Sequence, residues 1–510
     1  MSRNLVVCSD GTWCTPEQKM AALPCPTNVA KLYNLCIADE RQLRYYHPGV
    51  GAEGGLVERL LGGGIGLGLS RNILGAYRWL CDHYRKGDRI FLFGFSRGAY
   101  TVRSLGGLIG RCGLLDLGAA SDRQAWEAVE RVYQHGYRQR EPAARWSADS
   151  RFLAGDLPDG KPAIHLIGVW DTVGSLGVPD DLLLLDQLLD NPGDYRFHDT
   201  DLGVAVRHAR HAVAMDEQRA SFAPTLWTGG ERPADGSFKQ LWFAGTHGDV
   251  GGGYTEYGLS DGALKWMIDE ATALGLHVAP ALASQLLPDP RGPIHDSLTG
   301  VWKHLRTLPR ATPLVAADRV GSELAEQVWD RHQVPPLTQA PYRLSRVLGH
   351  DESASCSVFA RQHWNASGLY LEAGVPYGFV ANGEWLDSDI ACGPGGARDG
   401  VFHIGEVAHL LGSAIGEAEA IYHRLSGKQQ ADWWGSRRRE EAPWFALIGM
   451  IANQPNMDAS GTVIEGETFV IGERCTFRPR RSGYLYSYAN DAWKFYGNNR
   501  GQVTLTVSRR

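Results

Sequence analysis

One pentapeptide limits what this chain can fold into: Gly94-Phe95-Ser96-Arg97-Gly98, set between the apolar run Ile90–Phe93 and a stretch of helical spacing, Ala99–Gly110. Ile90–Phe93 fits a buried central strand, and Ala99, Val102, Leu105, Leu108 and Ile109 fall on one helical face. G-x-S-x-G between a strand and a helix is a nucleophile elbow. The turn is sharp and strained, it exposes the serine hydroxyl, and glycines flank it where backbone and substrate come close. This context predicts an α/β fold, an α/β-hydrolase-like domain with a mostly parallel central sheet, and makes Ser96 the candidate nucleophile. An ordinary glycine-rich strand–helix turn is the competing reading.

The partners such a serine needs follow in chain order. Ile164–Trp170 reads as a second buried strand and ends in Asp171, which can accept from a histidine Nδ1–H and fix its tautomer. Leu241–Ala244 reads as a third and runs into the glycine-dense Gly245–Tyr254, which carries His247, the candidate general base among 17 histidines. The order Ser–Asp–His suits an α/β-hydrolase, with Asp249 the alternative acid. For the oxyanion the expected donors are the amide of Arg97 and that of Gly11 or Thr12, which follow the first strand, Leu5–Cys8. A plain Asp10-Gly11 turn is the alternative there. His208, His211, Asp216, Glu217 and Arg219 are predicted on one helix, as a structural cluster rather than a metal site. His47, in a loop before proline, is also read as structural.

Composition narrows the class. The chain has 510 residues, 43% hydrophobic and 21% charged, with net charge −6, and no basic mass beyond Arg437-Arg438-Arg439, so nucleic acid is not an expected partner. Gly62–Gly68 lacks the Lys-Ser/Thr ending of a phosphate loop. Nine cysteines without a C-x-x-C pair read as mostly reduced, in a chain made in the cytoplasm without a signal peptide. No apolar run is long enough to span a bilayer. The leucine-rich Leu182–Leu189 suits a buried core helix better than a lid or a membrane-facing helix.

Taken as a set, Asp10-Gly11-Thr12-Trp13, Gly94–Ala99, Trp170-Asp171-Thr172-Val173 and Gly245–Tyr254 resemble the Tle1-like (DUF2235) α/β-hydrolases, a family that contains phospholipase effectors of the bacterial type VI secretion system. The resemblance covers about the first 300 residues. It implies a Ser-His-Asp esterase with phospholipid as the leading substrate class and a membrane surface as its place of work. A type VI secretion spike and an immunity protein are the partners such an effector would have.

From about Ser355 short alternating strands separated by glycine turns predict an antiparallel β-sandwich: Val358–Arg361, Gly368–Leu371, Tyr377–Ala381, Phe469–Ile471, Leu485–Tyr488 and Val503–Val507. The amphipathic stretch Val407–Leu425 predicts a helical insertion over about 403–445. Asn490–Gly501, with Gly383-Glu384-Trp385 and Gly393–Gly396, resembles the calcium loop of PA-IL-type galactose-binding lectins. That resemblance implies side-chain oxygens from Asp491, Asn498 and Asn499, a carbonyl from Phe495 and another from Ser388, an all-oxygen set suited to calcium. The segment after Gly396 departs from the lectin pattern, which weakens the expectation of a glycan ligand.

The expected protein is therefore a serine esterase or lipase of the phospholipase A type, with catalysis needing no cofactor. Residues 1–345 form the hydrolase and 355–510 the lectin-like sandwich. A non-lipid carboxylesterase, or a surface-binding module on a degenerate hydrolase scaffold, are the rival readings.

Overall fold

The computed structural model describes residues 2–11, 19–20, 23–49, 65–174, 202–227, 235–316, 323–339, 341–397, 438–439, 441–454, 464–493 and 495–510. Leu182–Leu189, Thr12, Gly62–Gly64 of the glycine patch and the amphipathic stretch Val407–Leu425 lie outside them. The described residues form two compact units. One draws on 1–305 and 317–342, the other on 306–316, 343–454 and 465–510. The chain is not divided by a single cut, because residues 306–316 belong to the second unit.

The first unit is built on six parallel strands: β1 (Asn4–Ser9), β2 (Gln42–His47), β3 (Arg89–Phe95), β4 (Ile164–Trp170), β5 (Val206–Ala214) and β6 (Phe238–Phe243), in the spatial order β2-β1-β3-β4-β5-β6. β1, β3 and β4 read as nearly unbroken apolar runs because a parallel sheet is covered on both faces. Leu5, Val7, Leu92 and Ile167 pack in one core with Tyr77 and Leu80 of α1 (Ile65–His83) and Val102 and Leu105 of α2 (Arg97–Cys112). The strand order reverses beside β1 and β3, so the loops leaving their carboxyl ends part company and open a crevice. Ser96 and Gly11 are those two loops' residues.

One expectation fails here. His208 and His211 stand on the strand β5, with Asp216, Glu217 and Arg219 in the loop beyond it, and not on one helix. The histidines and arginines of β5 hid the run of buried alanines and Val213 that makes it a strand.

The second unit holds two antiparallel sheets. One has the order Asn365–Leu371, Gly483–Ala489, Leu447–Ala452, Glu467–Val470; the other Ile390–Cys392, Tyr377–Asp387, Arg500–Arg509, Ser353–Phe359. All six residues of Leu447–Ala452 are buried, a central strand whose unbroken hydrophobicity shows no period-2 alternation. Trp385, Phe379, Phe445, Leu505 and Ile451 share the core. Residues 306–316 attach to this unit: Trp364 Nε1–H donates to the Thr307 carbonyl (3.0 Å), and the Val315 N–H to Tyr484 Oη (2.9 Å).

Candidate active site

The elbow has the backbone its sequence demands. Ser96 sits at φ 57°, ψ −121°, a region that costs a non-glycine residue about 1–3 kcal/mol. Neighbouring hydrogen bonds hold it there: the Ser96 N–H donates to the Trp170 carbonyl at the end of β4 (3.1 Å), and the Tyr100 N–H donates to the Ser96 carbonyl (3.3 Å). Both flanking glycines are required by close approach. A Cβ on Gly94 would lie 2.4 Å from the Gly98 carbonyl oxygen, and one on Gly98 would lie 2.1 Å from that of Ser9. The second contact pins the start of α2 against the loop after β1. Arg97 is the first residue of α2, so its amide belongs to the set a helix cannot satisfy internally.

The loop after β1 is organised by Asp10. Its buried carboxylate accepts from Thr27 Oγ1 and Tyr46 Oη, both at 2.6 Å, and from the Gly11 N–H at 2.7 Å. Burial pushes the Asp10 carboxyl up, against these three donors. The Gly11 amide, expected as an oxyanion donor, is thus turned toward its own neighbour. His47 contributes its backbone carbonyl, which accepts from the Asp10 N–H (3.0 Å).

Asp171 and His247 meet. The Asp171 Oδ2 lies 2.6 Å from His247 Nδ1, and its Oδ1 accepts from the Ala214 N–H at 2.9 Å, so the carboxylate is fixed at both oxygens. Asp171 is fully buried and has φ 35°. The imidazole of His247 packs on Phe95, the residue before Ser96 (centroids 4.5 Å apart), and meets Phe222 edge-on at 4.9 Å. Desolvation among these rings lowers the His247 pKa, with the Asp171 hydrogen bond working in the other direction. The ring is therefore neutral at neutral pH, the state a general base needs. Asp249 faces a different histidine: its Oδ1 is 2.6 Å from His295 Nδ1.

His247 opens a short helix, α3 (His247–Gly251), whose entry is held by acids. Asp216 Oδ2 accepts from the Gly245 N–H (2.8 Å), Asp249 Oδ2 from the Thr246 N–H (2.9 Å) and Glu217 Oε2 from the His247 N–H (3.2 Å). Glu217 is buried and paired with the Arg219 guanidinium at 2.8 Å. Its role was not legible in sequence, since no spacing rule links 217 to 247. His211, by contrast, accepts from the Thr172 N–H at Nε2 (3.2 Å) and donates from Nδ1 to Gln240 Oε1 (3.1 Å), a neutral ring bracing the residue after Asp171.

In the second unit the expected cation loop gathers around an unexpected member. Asn499 Nδ2 donates to Asp491 Oδ2 (2.9 Å) and Asn498 Nδ2 to Asp387 Oδ1 (3.0 Å). Burial, and after it the charge of Asp387, push the Asp491 pKa up to about 7. Asn499 Oδ1 is buried without a hydrogen-bond partner. Phe495 lies in the turn between them, its N–H donating to the Ala492 carbonyl (2.9 Å). Asp387, next to Ser388, brings a second carboxylate to this loop. It ends the strand Tyr377–Asp387, more than a hundred residues from the loop it serves.

A family model described as type VI secretion system phospholipase effector Tle1-like, catalytic domain, matches residues 3–270. The uncharacterized protein YEL023C of Saccharomyces cerevisiae is 31% identical over 242 residues, 44% of this chain and 33% of that protein, so the chain spans about a third of that relative's length. Among solved structures, an uncharacterized protein from Pseudomonas aeruginosa is 17% identical, over 57% of this chain and 49% of that one, with a TM-score of 0.34. The Tle1 effector bound to the VgrG spike of the type 6 secretion system is 17% identical, over 50% and 51%, at 0.28. The N-terminal domain of EclA, a PllA-like lectin, is 15% identical over 31% of this chain and 95% of its own, at 0.18.

Proposed function

The chain belongs to the Tle1-like catalytic-domain family of type VI secretion phospholipase effectors, and from that membership we propose that it hydrolyses carboxylic ester bonds of phospholipids with Ser96, His247 and Asp171 as its triad. In this reading His247 takes the Ser96 proton as the hydroxyl attacks the acyl carbonyl, then returns it to the leaving alcohol. Asp171 keeps the Nδ1 proton in place and stabilises the imidazolium. The Arg97 amide, at the start of α2, supports the oxyanion. The observation that carries the reading is the buried Asp171–His247 pair at 2.6 Å, packed on the residue before a serine held at positive φ.

The test is fatty-acid release from phospholipid vesicles by the wild-type chain beside Ser96→Ala. Release by the wild type alone upholds the reading. Cleavage of short-chain esters without release from vesicles points to a non-lipid carboxylesterase, and silence on both substrates to a binding module. Export by a type VI apparatus, with a spike and an immunity protein as partners, follows from the family as part of the same proposal. No helix among the described residues is long and apolar enough to cross a membrane.

For the second unit we propose a calcium ion held by Asp387, Asp491, Asn498 and Asn499, with the Phe495 carbonyl. The orphaned Asn499 Oδ1 and two carboxylates, one of which raises the pKa of Asp491, form an oxygen-only set with excess negative charge, which suits calcium. The ion would supply the countercharge and brace the loop. A glycan remains a ligand to test on this loop.

A further inference from the structure

The entry to α3 contains a second acid–histidine pair that the proposed triad does not use. Three consecutive amides, those of Gly245, Thr246 and His247, donate to Asp216, Asp249 and Glu217. Buried carboxylates need a compensating partner. Glu217 has the Arg219 guanidinium, Nε at 2.9 Å and Nη2 at 2.8 Å. Asp249, equally buried, has His295: the backbone N–H donates to Oδ2 (3.1 Å) and the ring Nδ1 to Oδ1 (2.6 Å).

One short strap reaches both acids. Two residues after His295, the Ser297 hydroxyl donates to Glu217 Oε1 (3.0 Å). The charge state of His295 is written in its partners. Nδ1 faces Asp249 and Nε2 faces Glu256 Oε2 at 3.3 Å; ionised carboxylates only accept, so both nitrogens carry protons. The Tyr254 ring stacks on the imidazolium, centroids 3.9 Å apart and planes 14° apart. Tyr254 also fills the space where a Gly248 Cβ would stand, 2.6 Å away, so the stack is built on α3 itself.

We propose that His295 is a positioning residue for the ester hydrolysis inferred above: as an imidazolium it holds the Asp249 carboxylate, which holds the turn that presents His247. The proposal rests on that reading of the site. The groups facing His295 are Asp249, Glu256 and Tyr254, with Arg331 and Arg219 acting on Asp249 and Tyr254 from farther away. Partial burial works against its charge, but the hydrogen bonds and charges of Asp249 and Glu256 together outweigh it and raise the His295 pKa, whereas that of His247 is lowered. A charged histidine thus holds a neutral one. The stabilisation is full below the ordinary histidine value of about 6.5 and is lost as pH rises through the elevated folded value.

The experiment compares wild type, His295→Ala, His295→Gln and Asp249→Asn in steady-state hydrolysis of a soluble short-chain ester across pH. Folding is checked by circular dichroism, and the His247 imidazole is titrated by NMR. His295→Ala should lower kcat roughly ten- to a hundredfold with KM little changed, the scale of a catalytic group displaced by about 1 Å. The alkaline fall in wild-type kcat should be absent from both His295 variants, and the amide of His295→Gln, a donor without charge, should restore part of the rate. Asp249→Asn should lower kcat likewise, and the double variant should lose no more than either single one. Wild-type kcat in His295→Ala at every pH, or a change in KM alone, overturns the proposal. If His295→Ala does not fold, Asp249→Asn decides by the same criteria. If the wild type cleaves no ester, the functional reading fails separately, and the His247 titration then decides. A titration unmoved by His295→Ala overturns the positioning role; a shifted one upholds it.

Discussion

The region around α3 and the loop of the sandwich treat buried acid in opposite ways. In the parallel-sheet unit each buried carboxylate around α3 has a partner in place: Asp171 has His247, Glu217 has Arg219, Asp249 has His295. In the sandwich, buried Asp491 has two amide donors, Asn499 Nδ2 and the Ala492 N–H, and the largest charge acting on it is another carboxylate, Asp387. The first arrangement is electrostatically closed and can be tuned for proton transfer. The second is the one for which a cation is proposed as countercharge. Burial raises the cost of charge in both places, and the countercharge decides whether a site is ready or waiting.

The largest effect should separate the triad from everything else. Ser96→Ala should cut hydrolysis by a factor on the order of 10⁶ if the three residues act as one unit, with unchanged circular dichroism. Next comes the choice of acid. Asp171→Asn should lower kcat by about 10⁴ by stabilising the wrong tautomer of His247, whereas Asp249→Asn should cost far less. The reverse ranking, measured in the same assay, would remove Asp171 from the triad. A third prediction concerns pH. Because desolvation lowers the His247 pKa, the acid limb of kcat/KM should lie below the ordinary value of about 6.5. Stability should fall in the same direction. Below that value the unfolded histidine takes up a proton that the folded one refuses, so the contribution present above it is lost as pH falls.

The open site gives the smaller effects. Calcium at a hundred times its Kd should stabilise the wild type by about 2.7 kcal/mol, seen as a rise in Tm, and should leave the Tm of Asp491→Ala unchanged. Equal shifts in both proteins would remove the loop as a site. Its pH dependence runs opposite to a salt-bridged aspartate. With the folded Asp491 pKa raised to about 7, unfolding is favoured progressively as pH rises from the ordinary aspartate range toward that value. Calcium binding needs the ionised form, so affinity should drop by up to about tenfold per pH unit below 7. Asp387→Asn should bring the Asp491 pKa down and flatten that dependence, measurable by titration calorimetry at pH 6 and 8.

Much of the first unit was legible because its elements are local. The apolar runs of β1, β3 and β4, the helical spacing of α2 and the glycines of the elbow each constrain a few adjacent residues. β5 was misread because His208, Arg210 and His211 interrupt an otherwise buried strand, and their partners come from elsewhere: Gln240 on β6 for His211, and Glu270 for Arg210. In the sandwich the alternating strands were visible, but Leu447–Ala452 was not, since a strand buried on both faces carries no period. Asp387 escaped notice because the resemblance named its neighbour Ser388 instead, and only the contact from Asn498 in space brings Asp387 to the loop.

Sequence alone determined the elbow, the order Ser96, Asp171, His247 and the family of the first domain, because a strand–turn–helix with those side chains at its ends is a local statement. Only the tertiary structure decided which aspartate serves which histidine. It assigned Asp171 to His247 and Asp249 to His295, and it turned the Gly11 amide toward Asp10. One residue in the chain, Gly248, separates His247 from Asp249, but the orientation of a five-residue helix and the strap from residue 295 set the pairing. Hydrogen bonds are made in space, and chain distance says nothing of which buried charges must meet.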